Sequence, residues 1–255
     1  MKHFLFLLFA LPLVLVSCNP DEDDSELSGC MDPDAVNFNA NATVDDGSCV
    51  YGLAGCGGSS SVTFDGYTYE LVAIGDQCWF AENLRTEHYA NGDAIPGELS
   101  NSEWENTTEG AQAVYNNDAS NLADYGRLYN WYAVDDVRSL CPSGWHVPTD
   151  EEYTELTDFL GGSSIAGTQM KSSPSDNPAW NGTNTSGFSG LAGGLRINDG
   201  GFYYGGFYEG YYGYFWSASA DGTNAWSRHL DDGDTEVYRN YDSQRGGFSV
   251  RCVRD

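Results

Sequence analysis

Positive charge is what this sequence has least of. Its 255 residues carry 11 Lys and Arg against 38 Asp and Glu, a formal charge of −27, and Lys occurs only at Lys2 and Lys171. Such a chain repels phosphate backbones, which excludes an electrostatically driven nucleic-acid binder. It has no Cys-x-x-Cys pair, which argues against a zinc ribbon, and no His-Glu-x-x-His or His-x-x-x-His, which argues against a zinc hydrolase. Glycine reaches 31 residues without a Gly-X-Y period, so collagen is excluded. The longest apolar run, residues 4–16, has 13 residues, short of the ~20 that span a bilayer as a helix. Aromatic residues, in contrast, make up 14% of the chain, too many for a disordered acidic polypeptide. The length suits one large or two modest domains with a real core.

Residues 1–17 read as a secretory signal peptide, with Lys2 and His3 ahead of the apolar run. Leu15-Val16-Ser17-Cys18 resembles a bacterial lipobox, in which the cysteine is lipidated, so Cys18 is the expected lipidation site. Several acyl chains, palmitate among them, would hold the protein stably to a membrane. Residues 19–26 hold five carboxylates in eight positions, which sets out residues 18–28 as a solvated tether. An acidic run just after a lipidated cysteine resembles the surface-export signal of Bacteroidetes lipoproteins. The expected location is therefore the outer membrane, lipid-anchored and surface-exposed, with membrane contact through the anchor alone.

Apart from Cys18 there are six cysteines: Cys30, Cys49, Cys56, Cys78, Cys141 and Cys252. An even number in an exported chain implies disulfides, with 15 connectivities open. Cys30 and Cys49 flank one short segment and are expected to pair. Cys141 and Cys252 lie in separate halves of the larger region and could close a long loop, which leaves Cys56 with Cys78.

Residues 29–51 read GCMDPDAVNFNANATVDDGSCVY. They resemble a short module common in secreted Bacteroidetes proteins. Asp32, Asp34, Asn37, Asn39, Asn41, Asp45 and Asp46 supply hard oxygen donors at close spacing, a set that suits Ca²⁺. The competing reading is that these side chains cap turns by bonding nearby backbone. No EF-hand loop is present, and no other cofactor is implied.

A Gly/Ser joint over residues 52–61 leads into the main domain, residues 62–255. Residues 62–64 and 67–72 flank Asp65-Gly66 and predict a β-hairpin. Leu128, Trp131 and Tyr132 fall at helical spacing and predict a short helix over 126–134. Thr149 with Glu152 three residues on is a capping box, which predicts a second helix ending at Gly161-Gly162. No helical period survives beyond it. Short strands are expected at 188–195, 214–220, 225–230, 236–240 and 248–253; in the last, Phe248, Val250 and Cys252 alternate with Ser249 and Arg251, so Cys252 is expected on the side of the apolar pair. The fold class is α+β: two early helices, twisted antiparallel strands and much loop, preceded by the small disulfide-closed module.

Six segments then appear in order: IGDQCWFAENLRT (74–86), YGRLYNWYAV (125–134), CPSGWHVPTDEEYTEL (141–156), GFSGLAGGLR (187–196), GYFWSASA (213–220) and GGFSVRCVRD (246–255). Their order and spacing resemble the Fibrobacter succinogenes major paralogous domain. That family is distantly similar to the C-type-lectin-like fold of formylglycine-generating enzymes and of retroelement-diversified binding proteins. The resemblance implies an extracellular, C-type-lectin-like domain whose biochemical role is largely undefined.

Chemistry-bearing clusters are few. His88, His146 and His229 are scattered, and His146 is expected to be packed or hydrogen-bonded. Formylglycine-generating enzymes use copper-bound cysteines, whereas all six cysteines here are accounted for as disulfides. The lectin-like calcium triplets Glu-Pro-Asn and Trp-Asn-Asp are missing. Arg127, Arg251 and Arg254 lie in the family segments and Arg245 directly before the last, and all four are expected to tie loops to carboxylates. No catalytic residue is assigned, and the protein is expected not to be an enzyme.

The unusual segment is 202–216, FYYGGFYEGYYGYFW, with ten aromatics and four glycines in 15 residues. A hairpin with alternate aromatics buried is the plain reading. The functional reading is that Tyr offers a rigid apolar face and a hydroxyl at low entropic cost. Tyr203, Tyr204, Tyr208, Tyr211 and Tyr212 are therefore the candidate ligand-binding residues, with Phe215 and Trp216 assigned to the core. The expected function is a non-catalytic binding or adhesion module for an extracellular glycan or protein. The alternatives are a structural envelope protein without a specific ligand, or an enzyme of the formylglycine-generating type. Residues 19–49 carry nine acidic and no basic residues, and residues 57–255 carry 29 acidic and 10 basic. Acidity thus covers tether and body alike, which favours a neutral or cationic partner.

Overall fold

A computed structural model of the protein describes residues 27–32, 38–48, 55–203 and 211–255. The signal segment, Cys18, Asp34, Asn37, Cys49, Tyr204 and Tyr208 lie outside the described residues. In the small module, β1 (Ser28–Gly29) pairs in parallel with β2 (Val44–Asp45). Cys30 is disulfide-bonded.

The large region begins with β3 (Ser61–Phe64), β4 (Tyr67–Ile74) and β5 (Gln77–Phe80). The β3–β4 turn is the Asp-Gly hairpin the sequence indicates: Asp65 and Gly66 both take positive φ, +46° and +75°, as a type I′ turn requires. Tyr69, Leu71 and Ala73 alternate inward along β4. There follow α1 (Asn101–Asn106), β6 (Gln112–Ala113), α2 (Leu122–Tyr125), β7 (Leu128–Asn130), α3 (Trp131–Val134) and β8 (Trp145–His146). Next come α4 (Asp150–Phe159), α5 (Ser163–Met170), β9 (Leu195–Arg196) and β10 (Phe202–Tyr203). The chain closes with β11 (Tyr212–Asp221), β12 (Asn224–Asp231), β13 (Val237–Ser243), β14 (Gly247–Phe248) and β15 (Val253–Arg254).

Among the described residues, the strands of the large region form three sheets, ordered β3-β4-β5-β15-β8, β10-β9-β14-β7-β6 and β11-β12-β13. Every strand pair in them is antiparallel. The result is a mixed helix and sheet fold, few helices among mostly antiparallel strands. The last strand, β15, sits between β5 and β8, with Val253 opposite both Trp79 and His146. Parallel bridges Gly194–Gly213 and Phe215–Ser249 join the three-stranded sheet to its neighbour. Two disulfides lock the arrangement, Cys56–Cys78 and Cys141–Cys252.

One core cluster gathers Tyr69, Phe80, Tyr129, Trp216 and Phe248 between the sheets. A second lies under α4 and α5, with Trp79, Tyr153, Leu156, Met170 and Phe188. Trp79, Trp104 and Trp216 are fully buried, each contributing about 2–3 kcal/mol of transfer free energy.

Several local expectations are corrected. The helix expected over 126–134 is a strand followed by one helical turn. Leu128–Asn130 pairs with Gln112–Ala113 and with Gly247–Phe248, and Asn130 then caps α3 by accepting from the Ala133 N–H. A helix does follow Gly162, since Ala166 and Met170 of α5 face the core. Residues 188–195 are mostly irregular, with only Leu195 in a strand. In the last segment Ser249 and Arg251 are as buried as Phe248, Val250 and Cys252, and the one strand expected over 248–253 is two short ones, Gly247–Phe248 and Val253–Arg254. The segment crosses between two sheets, so both of its faces are inside.

Candidate functional site

Strand β11 starts the site. Tyr212, Tyr214 and Trp216 share one face, and Gly213 and Phe215 share the other. The cross-strand register places His229 opposite Tyr214 and Tyr238 opposite His229. The three rings form a row: Tyr214 to His229 at 5.1 Å, and His229 stacked on Tyr238 at 4.5 Å with 9° between planes. Tyr212 lies 6.1 Å from His229 and 6.5 Å from Tyr211. At the inner end Phe248 touches Tyr214 at 5.0 Å and stacks on Trp216 at 4.1 Å. A graded aromatic strip therefore runs from the buried Trp216 outward to Tyr211, which is 47% exposed.

Tyr203, 50% exposed, joins the strip through Gly194. Gly194 has φ +66° and its N–H donates to the Tyr212 carbonyl at 3.0 Å. A Cβ there would lie 2.9 Å from the Tyr203 carbonyl oxygen and 2.8 Å from the Tyr115 ring. Only glycine fits at this position between the Tyr203 carbonyl and the Tyr115 ring. Of the five candidate tyrosines, the structure sets Tyr211 beside Tyr212 and links the backbone of Tyr203 to that of Tyr212 through Gly194, while Phe215 and Trp216 are core as expected. The residues missed by sequence reasoning are Tyr214, His229 and Tyr238. Tyr214 was signalled by its two-residue spacing from Tyr212. The other two depend on strand register, which no short-range pattern carries.

The rim is polar. The Tyr238 hydroxyl donates to Asp234 at 2.6 Å, and this bond to a carboxylate pushes its pKa up to about 12. Ser227 donates to Asp242 at 2.6 Å. Burial pushes the His229 imidazole below its ordinary pKa despite Asp231 and Asp242 nearby. A neutral ring fits its Nδ1 accepting from the Asn240 amide at 2.6 Å. The strip therefore offers ring faces and hydroxyls, bordered by acid.

The other sequence candidates do structural work. In the small module, Asp45 accepts from the Gly47 N–H, Asp46 from Ser48, and Asn39 from Asn41, the turn-capping role. Asp32 lies two residues past the bonded Cys30. Among the described residues, no group of three His, Cys, Asp or Glu side chains could hold a metal ion. His146 is hydrogen-bonded as expected, between Glu152 and Asp255. Arg127 meets a carboxylate, Glu87. Arg251 does not: its guanidinium bonds Asn83 Oδ1 and the carbonyls of Phe80, Phe188 and Ser189, and Arg254 bonds the Cys56 carbonyl. These two arginines bind backbone carbonyls directly, Arg251 fully buried and Arg254 exposed. Among the described residues no helix is long and apolar enough to cross a membrane.

Fold and disulfides together define an exposed-aromatic α+β domain. More particularly, the chain belongs to the Fibrobacter succinogenes major domain family, whose model matches residues 72–254. No curated protein and no solved structure matches the chain significantly.

Proposed function

We propose that the protein is a non-catalytic, lipid-anchored binding module on the outer surface of the outer membrane, taking an extracellular glycan or protein on the tyrosine strip of a C-type-lectin-like domain. One observation carries this reading: the half-exposed Tyr211 sits beside Tyr212 at the outer end of the ordered Tyr214–His229–Tyr238 row, with the half-exposed Tyr203 tied to Tyr212 by backbone through Gly194. Aromatic faces stack on sugar rings or on protein side chains, and tyrosine hydroxyls supply directional bonds. The surrounding Asp231, Asp234 and Asp242 favour a neutral or cationic partner. The anchor rests on the Leu15–Cys18 motif and the acidic run after it.

The test is binding of the intact protein to a glycan array and to cell-surface protein fractions. The combined Tyr203→Ala, Tyr211→Ala and Tyr212→Ala variant is expected to lose at least tenfold in affinity while keeping its thermal unfolding. Equal binding by variant and parent overturns the site. An absence of saturable binding by the parent returns the protein to the structural envelope reading.

A further inference from the structure

A second concavity lies away from the tyrosine strip. Residues 87–98, 112–122 and Arg127 enclose a cleft of about 710 Å³, within the ~300–1,000 Å³ typical of small-ligand sites. Its walls are short aliphatic side chains, Ile95, Ala113, Val114 and Leu122 among them. Its floor is polar and buried: Gln112 is 6% exposed and Arg127 is 7% exposed.

The floor points donors at the cleft. Arg127 Nη1 donates to Gln112 Oε1 at 2.7 Å, Nε donates to the Arg85 carbonyl, and Nη2 meets Glu87. A guanidinium carries five N–H bonds, so one on each Nη is left over. The bond to Oε1 fixes the Gln112 amide, and among the described residues its Nε2 has no acceptor. That nitrogen reaches the cleft surface, with Gly97 beside it leaving space that a Cβ, 2.2 Å away, would take. An amide donor held in one orientation at a cleft surface is pre-organised for a ligand acceptor that takes the place of water there.

The rim supplies acceptors. Glu87 and Glu98 border the opening with Asn117. Glu98 and Asn117 hold left-handed backbone, φ +57° and +53°, a conformation that costs non-glycine residues energy and gathers at ligand-contacting segments. One Arg against two Glu leaves the site net negative, so a carboxylate or phosphate is repelled. Donors below, acceptors at the rim and small aliphatic walls match a secondary amide, which carries one C=O and one N–H, with an aliphatic group attached.

We infer that this cleft binds a neutral secondary amide bearing an aliphatic group, its carbonyl on Gln112 Nε2 and Arg127 and its N–H toward the rim carboxylates. Peptide and N-acetyl sugar share this chemistry. The test is an amide-NMR titration of the intact protein with three probes: N-acetyl-leucine methylamide, N-acetylglucosamine, and N-acetyl-leucine with its free carboxylate. Saturable shifts confined to residues 87–98, 112–122 and Arg127 are expected for at least one neutral probe. A response to the blocked amino acid alone assigns a peptide source, and to the sugar alone a glycan source. N-acetyl-leucine is expected to bind at least tenfold more weakly than its methylamide. Gln112→Glu keeps the Arg127 partner but replaces the donor with an acceptor, and is expected to weaken the neutral probe at least tenfold with an unchanged spectrum elsewhere. No saturable shift with either neutral probe, or equal binding by Gln112→Glu, overturns the inference. The tyrosine-strip variant is expected to bind these probes normally, which separates failure here from failure of the surface-binding reading.

Discussion

His146 is held between two carboxylates, Nε2 to Glu152 at 2.8 Å and Nδ1 to Asp255 at 2.7 Å. The Glu152 bond raises its pKa most, partial burial opposes, and Asp255 raises it further, to about 9 against an ordinary 6.5. The folded state therefore binds this proton more tightly than the unfolded chain. The stability it contributes is complete below pH 6.5 and is lost as pH rises through about 9. The imidazole is 37% exposed, so solvent screening limits the effect to about 1 kcal/mol or less. The urea midpoint of the parent should fall between pH 6.5 and 9, and His146→Gln should flatten that decline. An equal slope in the variant would assign the titration to another group. Asp150 is a contrasting case, since it is nearly buried and holds both Arg228 and Arg239, each within 2.7 Å. Asp150→Ala leaves the buried Arg228 without a counter-charge, which costs about 3 kcal/mol on urea unfolding. A loss under 1 kcal/mol would show that the bonds of Arg228 to the Ser227 and Asp150 carbonyls suffice.

At the scale of elements, α5 turns on Gly167. A Cβ there would lie 2.6 Å from the Glu236 carbonyl oxygen and 2.7 Å from that of Thr235, and the Gly167 N–H itself donates to Thr235 at 2.9 Å. Helix propensity alone favours Gly167→Ala by about 1 kcal/mol. The clash with two backbone oxygens forces α5 off the start of β13, which costs about 1–3 kcal/mol. The variant should unfold at lower urea than the parent, and a higher midpoint would show that α5 can move. The same residue explains why α5 was not legible in the sequence. SSIAGTQM has no charge and an internal glycine, and its buried pair Ala166 and Met170 is a weak signal. The α4 helix was legible because Thr149 and Glu152 form a local capping box. The same signal stands at Ser100 and Glu103 before Trp104, but the six-residue α1 is too short for a period to follow it. Leu128–Asn130 misled for another reason. Its spacing fits a helix, and ladder bonds to strands distant in sequence override that preference. The candidate site divides likewise. A tyrosine cluster is visible in residues 202–216, whereas His229 and Tyr238 join it only through register.

Across the whole molecule, chain closure and charge work against each other. The formal charge of −27 sets the compact state against its own repulsion. The fold answers by returning its last strand to its first sheet, with β15 between β5 and β8. Cys141–Cys252 fixes that return across 111 residues, while Cys56–Cys78 spans 22. If restriction of the unfolded chain dominates, the longer closure contributes about 5 kcal/mol and the shorter about 3 kcal/mol. All four cysteines are buried to within 1%, so replacing either pair removes similar packing, and the difference reports on loop length. The Cys141→Ala, Cys252→Ala variant should therefore lose about 1–2 kcal/mol more in urea than Cys56→Ala, Cys78→Ala. The gap should persist at high salt, because loop entropy is not screened whereas charge repulsion is. An equal or larger loss from the shorter pair would place the stabilisation in local packing of the β4–β5 hairpin instead of in closure of the domain.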